Sequence, residues 1–589
     1  MKDRTLVLSS VVFLAVLLFF TGSCDPRRDD DVRGKYDVSQ PQNYAEASKG
    51  IVVGTSGAPA IRAGLQVLKE GGSAVDAAMT IALGQISLAA GCWVSYAGAM
   101  TMVYYEAETG KIYTLNARFK TPQEEDDPLS IPPIGTPSGR SALVPGFMAG
   151  VQAAHDRFGV LPFERLFEPA IYFAEKGFEI TEDFFDVMQF RKDVLMRLPE
   201  TRRIFRKKSG IQYKKGDIFF QTELAETLKQ VASQGAGYMY TGEWARKFVE
   251  IVQREGGKIV LKDMKDYRVI WAEPLHSTYN SHDIYTLPSP NYGGSRIIEM
   301  LNLLECAGLK NYKHFSESAQ ALYRIIKIDR VPRFLSVLPD FPDILNTFLP
   351  GVDISLESRI KKETARLLWD KVESGEWNEL EQQLLNQINS AALDISHSDA
   401  IIVVDERGNV AAVEHTINTE SWGTTGIFVD GVSIPDAACF QQQAILSTGP
   451  GKHLPDASCP VLVLFNDLPV LASSAVGNGL VKATFMNLHH FLDFDMIPEI
   501  SVKNEKIHNI DPDNYASQLI VEGDYPESVV NGVRNMGQEL TLAPIGELFP
   551  YFGYWIGVKI DHEKKRLYGA ASLFLNLIFL NPTCHAEGY

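Results

Sequence analysis

The stretch "SHSDAIIVVDERGNVAAVEHTIN", residues 396–418, constrains the fold more than any other part of the chain. Two apolar runs, Ile401–Val404 and Val410–Val413, flank "DERGN". Asp, Gly and Asn favour turns, so the stretch reads as a β-hairpin with a five-residue loop. If that loop is symmetric about Arg407, Ser398 lies opposite Thr416. Strand residues point alternately to opposite faces, yet both faces of 401–404 are apolar. Such a strand is expected to be covered on two sides, which fits a layered α/β sandwich better than two independent domains. By itself, the Ser398–Thr416 pair reads as a stabilising cross-strand contact. Whether it does more depends on the rest of the chain.

Helices dominate the first two thirds and strands the last third. "GAPAIRAGLQVLKEGGSAVDAAMTIALGQ" reads as two helices. Gly71-Gly72 ends the first, because glycine accepts a left-handed C-cap, and Ser73 with Asp76 starts the second as a variant capping box. Strands are expected at Ala99–Tyr105 and Lys111–Asn116, and helical segments run between Pro145 and Gln253. "HDIYTLPSPNYGGSRIIEML" reads as strand, Gly-rich loop, helix. Residues 317–330 and 355–395 are helical. Strands follow at 401–404, 410–416, 426–429, 461–465 and 469–474, a helix at 479–493, and last strands near 553–560 and 566–571.

With 589 residues, 45% apolar and 22% charged, the chain can bury a large core. Its net charge of −17 argues against nucleic acid as a partner and gives no sign of a basic membrane patch. The N-terminus carries Lys2 and Arg4, then an apolar core from Leu6 to Phe20, too short for a membrane span and suited to a signal peptide over 1–23. "TGSC" resembles a bacterial lipobox, which implies cleavage before Cys24 and lipid on its sulfur. Residues 24–47 then form a tether. The expected location is the periplasm or cell surface, lipid-anchored to a membrane, or secreted and soluble if Cys24 stays bare. The remaining cysteines are scattered, so one disulfide is possible and a framework is not indicated. His489-His490 reads as helix surface rather than as metal ligands.

Further segments identify a family resemblance. "GIVVGTSGAPAIRAGLQVLKEGGSAVDAAM", "GRSALVPGFMAGVQAAHDRFG", "GYMYTGEWARKFVEIVQREGGKIVLKDMKDY", "LPSPNYGGSRIIEMLNLLE" and "ESAQALYRIIKIDRVPRFL", followed by the hairpin, resemble successive segments of gamma-glutamyltransferases over roughly residues 48–571. The resemblance implies the four-layer αββα sandwich of N-terminal-nucleophile hydrolases. It also implies an inactive precursor that cuts itself at His397–Ser398 into a large region, 48–397, and a small one, 398–589. The nucleophile position falls on Ser398, the supporting Thr on Thr416 and its Asn on Asn418. Arg118, in "NARFKTP", falls where the family binds the substrate α-carboxylate. The oxyanion pair falls on Gly477 and Asn478.

The chemistry suits those residues. A serine hydroxyl needs a base. Cleavage before Ser398 would free an α-amine on the same residue, titrating at about 7.7–8.0 in short peptides. No metal or organic cofactor is required. The resemblance implies a gamma-glutamyl peptide or related amide as the small-molecule partner, an amino acid, peptide or water as acceptor, and a heterodimer of the two pieces. The pattern also departs from the family. Asp436, in "SIPDAACF", is the only carboxylate at the family's ammonium-binding cluster, and Asp436 and Asp456 are the candidates to rebuild a substrate-ammonium site from different positions. Asp456 and Ala457 replace a serine pair, Asn478 replaces a glycine, and the ending "LFLNLIFLNPTCHAEGY" replaces an Arg-containing tail. Two alternatives therefore stay open: an acylase for another acyl group, such as a β-lactam side chain, or a non-catalytic surface-anchored binding protein.

Overall fold

The hairpin forms in the expected register. In the computed structural model, which describes residues 35–38, 40–387, 398–504, 506–545, 553–573 and 584–589, Ser398–Val404 pairs antiparallel with Val410–Thr416, and Ser398 faces Thr416. The two strands lie near the middle of a seven-stranded sheet. Its order is His585–Gly588, Ile51–Gly54, Ser398–Val404, Val410–Thr416, Ala99–Glu106, Lys111–Ala117 and Ile270–Ala272. A second seven-stranded sheet runs Tyr44–Ala47, Arg566–Ala571, Tyr554–Asp561, Leu468–Val476, Val461–Phe465, His282–Thr286 and Leu275–Tyr279.

Strand alternation assigns each hairpin residue to a layer. Ala400, Ile402, Val404, Val410 and Ala412 pack inward against Leu462, Ala472, Val476 and Ile556 of the second sheet. Ile401, Val403, Ala411 and Val413 point outward, beneath the helices Ala58–Lys69 and Ala74–Leu88. The helices Tyr292–Ala307, Ala319–Val337 and Leu480–Phe494 cover the far side of the second sheet. The layers are αββα, the fold of the N-terminal-nucleophile hydrolases. The helix over the hairpin starts as its sequence asks: Ser73 Oγ accepts from the Asp76 N–H, and Asp76 accepts from the Ser73 N–H.

Three features depart from the sequence reading. A three-stranded unit, Ile507–Ile510, Ser517–Val521 and Glu539–Ala543, stands between the helix Leu480–Phe494 and the last hairpin. Its strands are four or five residues long, too short for alternation to declare them. His489 and His490 are buried rather than on a helix surface: His489 Nδ1 meets Asp493 Oδ2 at 2.7 Å and His490 Nδ1 meets Ser501 Oγ at 3.0 Å. The atypical chain end is a structural strand. His585–Gly588 pairs antiparallel with Ile51–Gly54, and the Tyr589 carbonyl accepts from the N–H groups of Ser48 and Lys49. Among the described residues no disulfide joins two cysteines.

The last strand covers an otherwise open sheet edge. Deleting residues 584–589 removes its ladder hydrogen bonds, each worth about 0.5–1.5 kcal/mol net. The expected loss is about 2–4 kcal/mol of stability, together with edge-driven association, readable as a lowered denaturation midpoint and a larger species in light scattering.

Candidate active site

Strand register builds a row of residues at one end of the first sheet. Ser398 is opposite Thr416, and Thr416 is opposite Ala99. Met100 pairs with Ala117, so Arg118, the next residue, continues the row beyond Ala99. By alternation all four face the space between the sheets. Three strand spacings separate Ser398 from Arg118, which sets their Cα atoms roughly 14–15 Å apart.

The Ser398 end of the row is held from behind. Asp399 points to the opposite face, where its buried carboxylate accepts from Thr55 Oγ1 at 2.8 Å, Ser56 Oγ at 2.7 Å and Trp93 Nε1 at 3.0 Å. Thr55 also accepts from the Ala400 N–H at 2.9 Å. Burial pushes the Asp399 carboxyl up to about 6 against the pull of those three donors. Past Thr416 the chain turns sharply. Asn418 adopts φ 54°, and its N–H donates to Thr416 Oγ1 at 2.8 Å. Gly98 lets the neighbouring loop approach: a Cβ there would stand 2.5 Å from the Thr416 carbonyl oxygen.

Arg118 is buried, and its Nη2 is ion-paired to Asp456 Oδ2. The other Asp456 oxygen accepts from the Ser458 N–H at 2.7 Å and from the Ser458 hydroxyl. Arg118 is further fixed by its N–H to Asn116 Oδ1 at 3.0 Å, and by its carbonyl, which accepts from Tyr267 at 2.7 Å. One row inward on the Thr416 strand, Glu414 accepts from Ser474 Oγ at 2.6 Å and the Cys459 N–H at 3.2 Å. Burial raises its carboxyl to about 8, and the charge of Asp456 adds to the rise.

Cys459 sits at Glu414 while Asp456 sits at Arg118, so the chain ahead of Val461–Phe465 runs toward the Ser398 end. Leu468–Val476 is antiparallel to that strand and leaves at the same end, which brings Gly477 and Asn478 there. Gly477 has φ 85°, whereas Asn478 is not among the positive-φ residues. The left-handed position thus keeps its glycine, and the asparagine occupies backbone any residue adopts. Asp436 is committed to its own loop: it accepts from Thr419 Oγ1 at 2.6 Å, from the Thr424 N–H at 2.8 Å and from the Thr424 hydroxyl. His397 and Cys24 lie outside the described residues. Among the described residues no group of three or more His, Cys, Asp or Glu is placed to hold a metal ion.

Sequence reasoning missed Asp399 and Glu414. The available signal was a carboxylate inside strands that are otherwise apolar on both faces.

Comparison with known proteins agrees with this architecture. A family model described as Gamma-glutamyltranspeptidase matches residues 60–572. The chain is 24% identical over 568 residues to a glutathione hydrolase proenzyme of Bacillus subtilis (strain 168), covering 90% of this chain and 92% of the relative. It is also 24% identical over 475 residues to the glutathione hydrolase proenzyme of Escherichia coli (strain K12), covering 77% and 80%. Among solved structures, cephalosporin acylase from Bacillus halodurans superposes with a TM-score of 0.72 at 17% identity, covering 94% of this chain and 98% of the other; this likeness concerns the fold alone.

Both raised carboxyls bind protons more tightly in the folded than in the unfolded chain. Folding therefore takes up protons, and stability falls as pH rises: from about 4 to about 6 for Asp399 and from about 4.5 to about 8 for Glu414. Glu414→Gln is expected to flatten the decline between pH 6 and 8, where Glu414 contributes most of the slope, by about 2–3 kcal/mol. Denaturant midpoints of both proteins across that range check it. Parallel curves would reject the burial of Glu414 as the cause.

Proposed function

Because this chain belongs to the gamma-glutamyltranspeptidase family, an N-terminal-nucleophile amidase family, we propose that it is a self-processing gamma-glutamyl hydrolase or transferase whose acyl-enzyme forms on Ser398. One observation carries the assignment of the nucleophile: Ser398 heads a central strand opposite Thr416, on the row that ends at Arg118. In maturation the Ser398 hydroxyl oxygen attacks the His397 carbonyl carbon. The Ser398 nitrogen leaves as an amine, and water hydrolyses the resulting ester. The freed amine then takes the proton from the same residue's hydroxyl as that oxygen attacks a substrate amide. The departing amine carries the proton away, and water or an acceptor amine releases the acyl group.

Thr416, directly across the ladder, orients the serine oxygen. Serine lacks the β-methyl that restricts χ1 in threonine, so a partner on the facing strand matters more here. The N–H groups at Gly477 and Asn478 serve the oxyanion. Asn418 holds the new amine. The signal-like N-terminus and Cys24 support an extracytoplasmic, lipid-attached enzyme.

A second reading has its own support. Arg118 already has a buried carboxylate partner in Asp456, and Asp436 is occupied by threonine donors. A substrate carrying a glutamyl α-carboxylate and α-amine would compete with both. An acyl group without those charges, as in a related amide acylase, would not.

The wild-type chain is expected to yield two pieces, 1–397 less any leader and 398–589, with Ser398 as the first residue of the smaller. Ser398→Ala is expected to stay intact and to lose at least about 10³-fold in amide hydrolysis, the scale seen when a nucleophile is removed. Release of amine from a gamma-glutamyl anilide supports the first reading, and release from a glutaryl but not a glutamyl anilide supports the second. An unbroken wild-type chain without activity on either would leave only a binding protein.

Thr416→Ala should still permit some cleavage but slow it and the hydrolysis by about 10–100-fold, measured by band intensities over time. Unchanged rates would remove Thr416 from the mechanism.

A further inference from the structure

Whole-chain charge conceals a local concentration of the opposite sign. "TRRIFRKKSGIQYKKG", residues 201–216, holds seven Arg and Lys and no acid in a chain of net charge −17. The segment forms an arm on the first helical layer. The Lys207 N–H donates to the Ile211 carbonyl at 2.9 Å, and Arg206 bridges to Gln212. Its base is aromatic: Phe205, Tyr213 and Phe219 pack with Phe184 and Trp422. A cavity of about 810 Å³ opens between that base and the side chains of Arg203, Arg206 and Lys208.

Two properties of the rim point to a partner. Arg203 pairs with Glu223, Lys207 with Asp217 and Lys215 with Glu182. Arg202, Arg206, Lys208 and Lys214 have no carboxylate within ion-pair distance among the described residues, and the buried Arg206 Nε has no hydrogen-bond partner there. Beside these cations large apolar side chains are exposed, Ile211 of the arm at 60% and Phe220, just after the strand Ile218–Phe219, at 48%. Exposed apolar tips have no use for a soluble polyanion. They suit the boundary between lipid headgroups and acyl chains, where neighbouring cations meet phosphate.

The path of the chain supplies a third argument. Tyr36, near the start of the described residues, packs edge-on against Tyr172 and Phe173 with ring centroids 5.5 Å away in each case. Those residues end the helix Phe163–Lys176, which passes through Gly177 into Phe178–Glu179, the strand paired with Ile218–Phe219 beside the arm. Tyr36 therefore lies against the end of the helix whose following strand pairs beside the basic arm, and the Gln221 N–H, just past Ile218–Phe219, donates to the Ala174 carbonyl at 3.0 Å.

We propose that the 202–220 face is a membrane-docking surface for anionic phospholipid, which orients the protein on the bilayer to which its N-terminus leads.

The test uses the full chain mixed with phosphatidylcholine vesicles, with and without phosphatidylglycerol, and reads hydrogen–deuterium exchange in peptides spanning 205–216. Anionic vesicles are expected to slow exchange there by at least about tenfold, a scale set by roughly 1 kcal/mol per cation near an anionic surface. Phosphatidylcholine alone should leave it unchanged, and about 1 M NaCl, where the Debye length is ~3 Å, should reverse the protection. Lys208→Glu combined with Lys214→Glu should abolish the protection while exchange elsewhere and amide hydrolysis stay as in the wild type. Equal exchange on both vesicles, or protection that survives the double substitution, would overturn the proposal. So would equal slowing by millimolar inorganic phosphate without vesicles, which would assign the cavity to a soluble anion.

Discussion

Two-sided burial of the Ser398–Thr416 hairpin is the constraint on which the rest of the molecule depends. Its inward residues require the second sheet and its outward residues require the first helical layer. With both faces covered, a slip of one residue would carry Ile401 and Val403 inward and expose Ala400 and Ile402 to the helices, exchanging every contact at once. Register is therefore rigid. That rigidity aligns Ser398, Thr416, Ala99 and Arg118, which come from separate strands and from positions about 300 residues apart in the chain.

Polar groups enter this interior at a cost, and the structure offsets most of it by pairing. Asp399 has three donors, Glu414 has two, and Arg118 meets Asp456. The two carboxyls with no cationic partner keep raised proton affinities, while the carboxylate beside the arginine is charge-balanced in place. Removing one member of the Arg118–Asp456 pair would leave a buried charge alone, a larger penalty than the pair itself is worth. Such groups trade stability for a fixed arrangement at one end of the sheets.

Much of this was legible in the chain. The hairpin declared itself through alternation and the turn residues of "DERGN", and Ser73 and Asp76 announced the helix that covers it. What stayed hidden is non-local. Asp399 finds Thr55 and Ser56 more than 300 residues upstream, and Glu414 finds Ser474 on another sheet. The final strand forms only because Ile51–Gly54 offers an edge, so its own composition carried no signal. The basic arm disappeared in a sum over 589 residues that is dominated by distant acids. Pairing across long separations, not local propensity, decides each of these cases.

The position of Ile51–Gly54 has one further consequence. This strand lies between Ser398–Val404 on one side and His585–Gly588 on the other. In a chain severed ahead of Ser398, both neighbours come from the C-terminal fragment and the strand between them from the N-terminal fragment. The two polypeptides are interleaved like the teeth of a zip, and neither can depart without first dismantling the other's ladder. Loss of the covalent link therefore leaves an assembly whose fragments separate only by unfolding, so that its stability becomes a function of concentration.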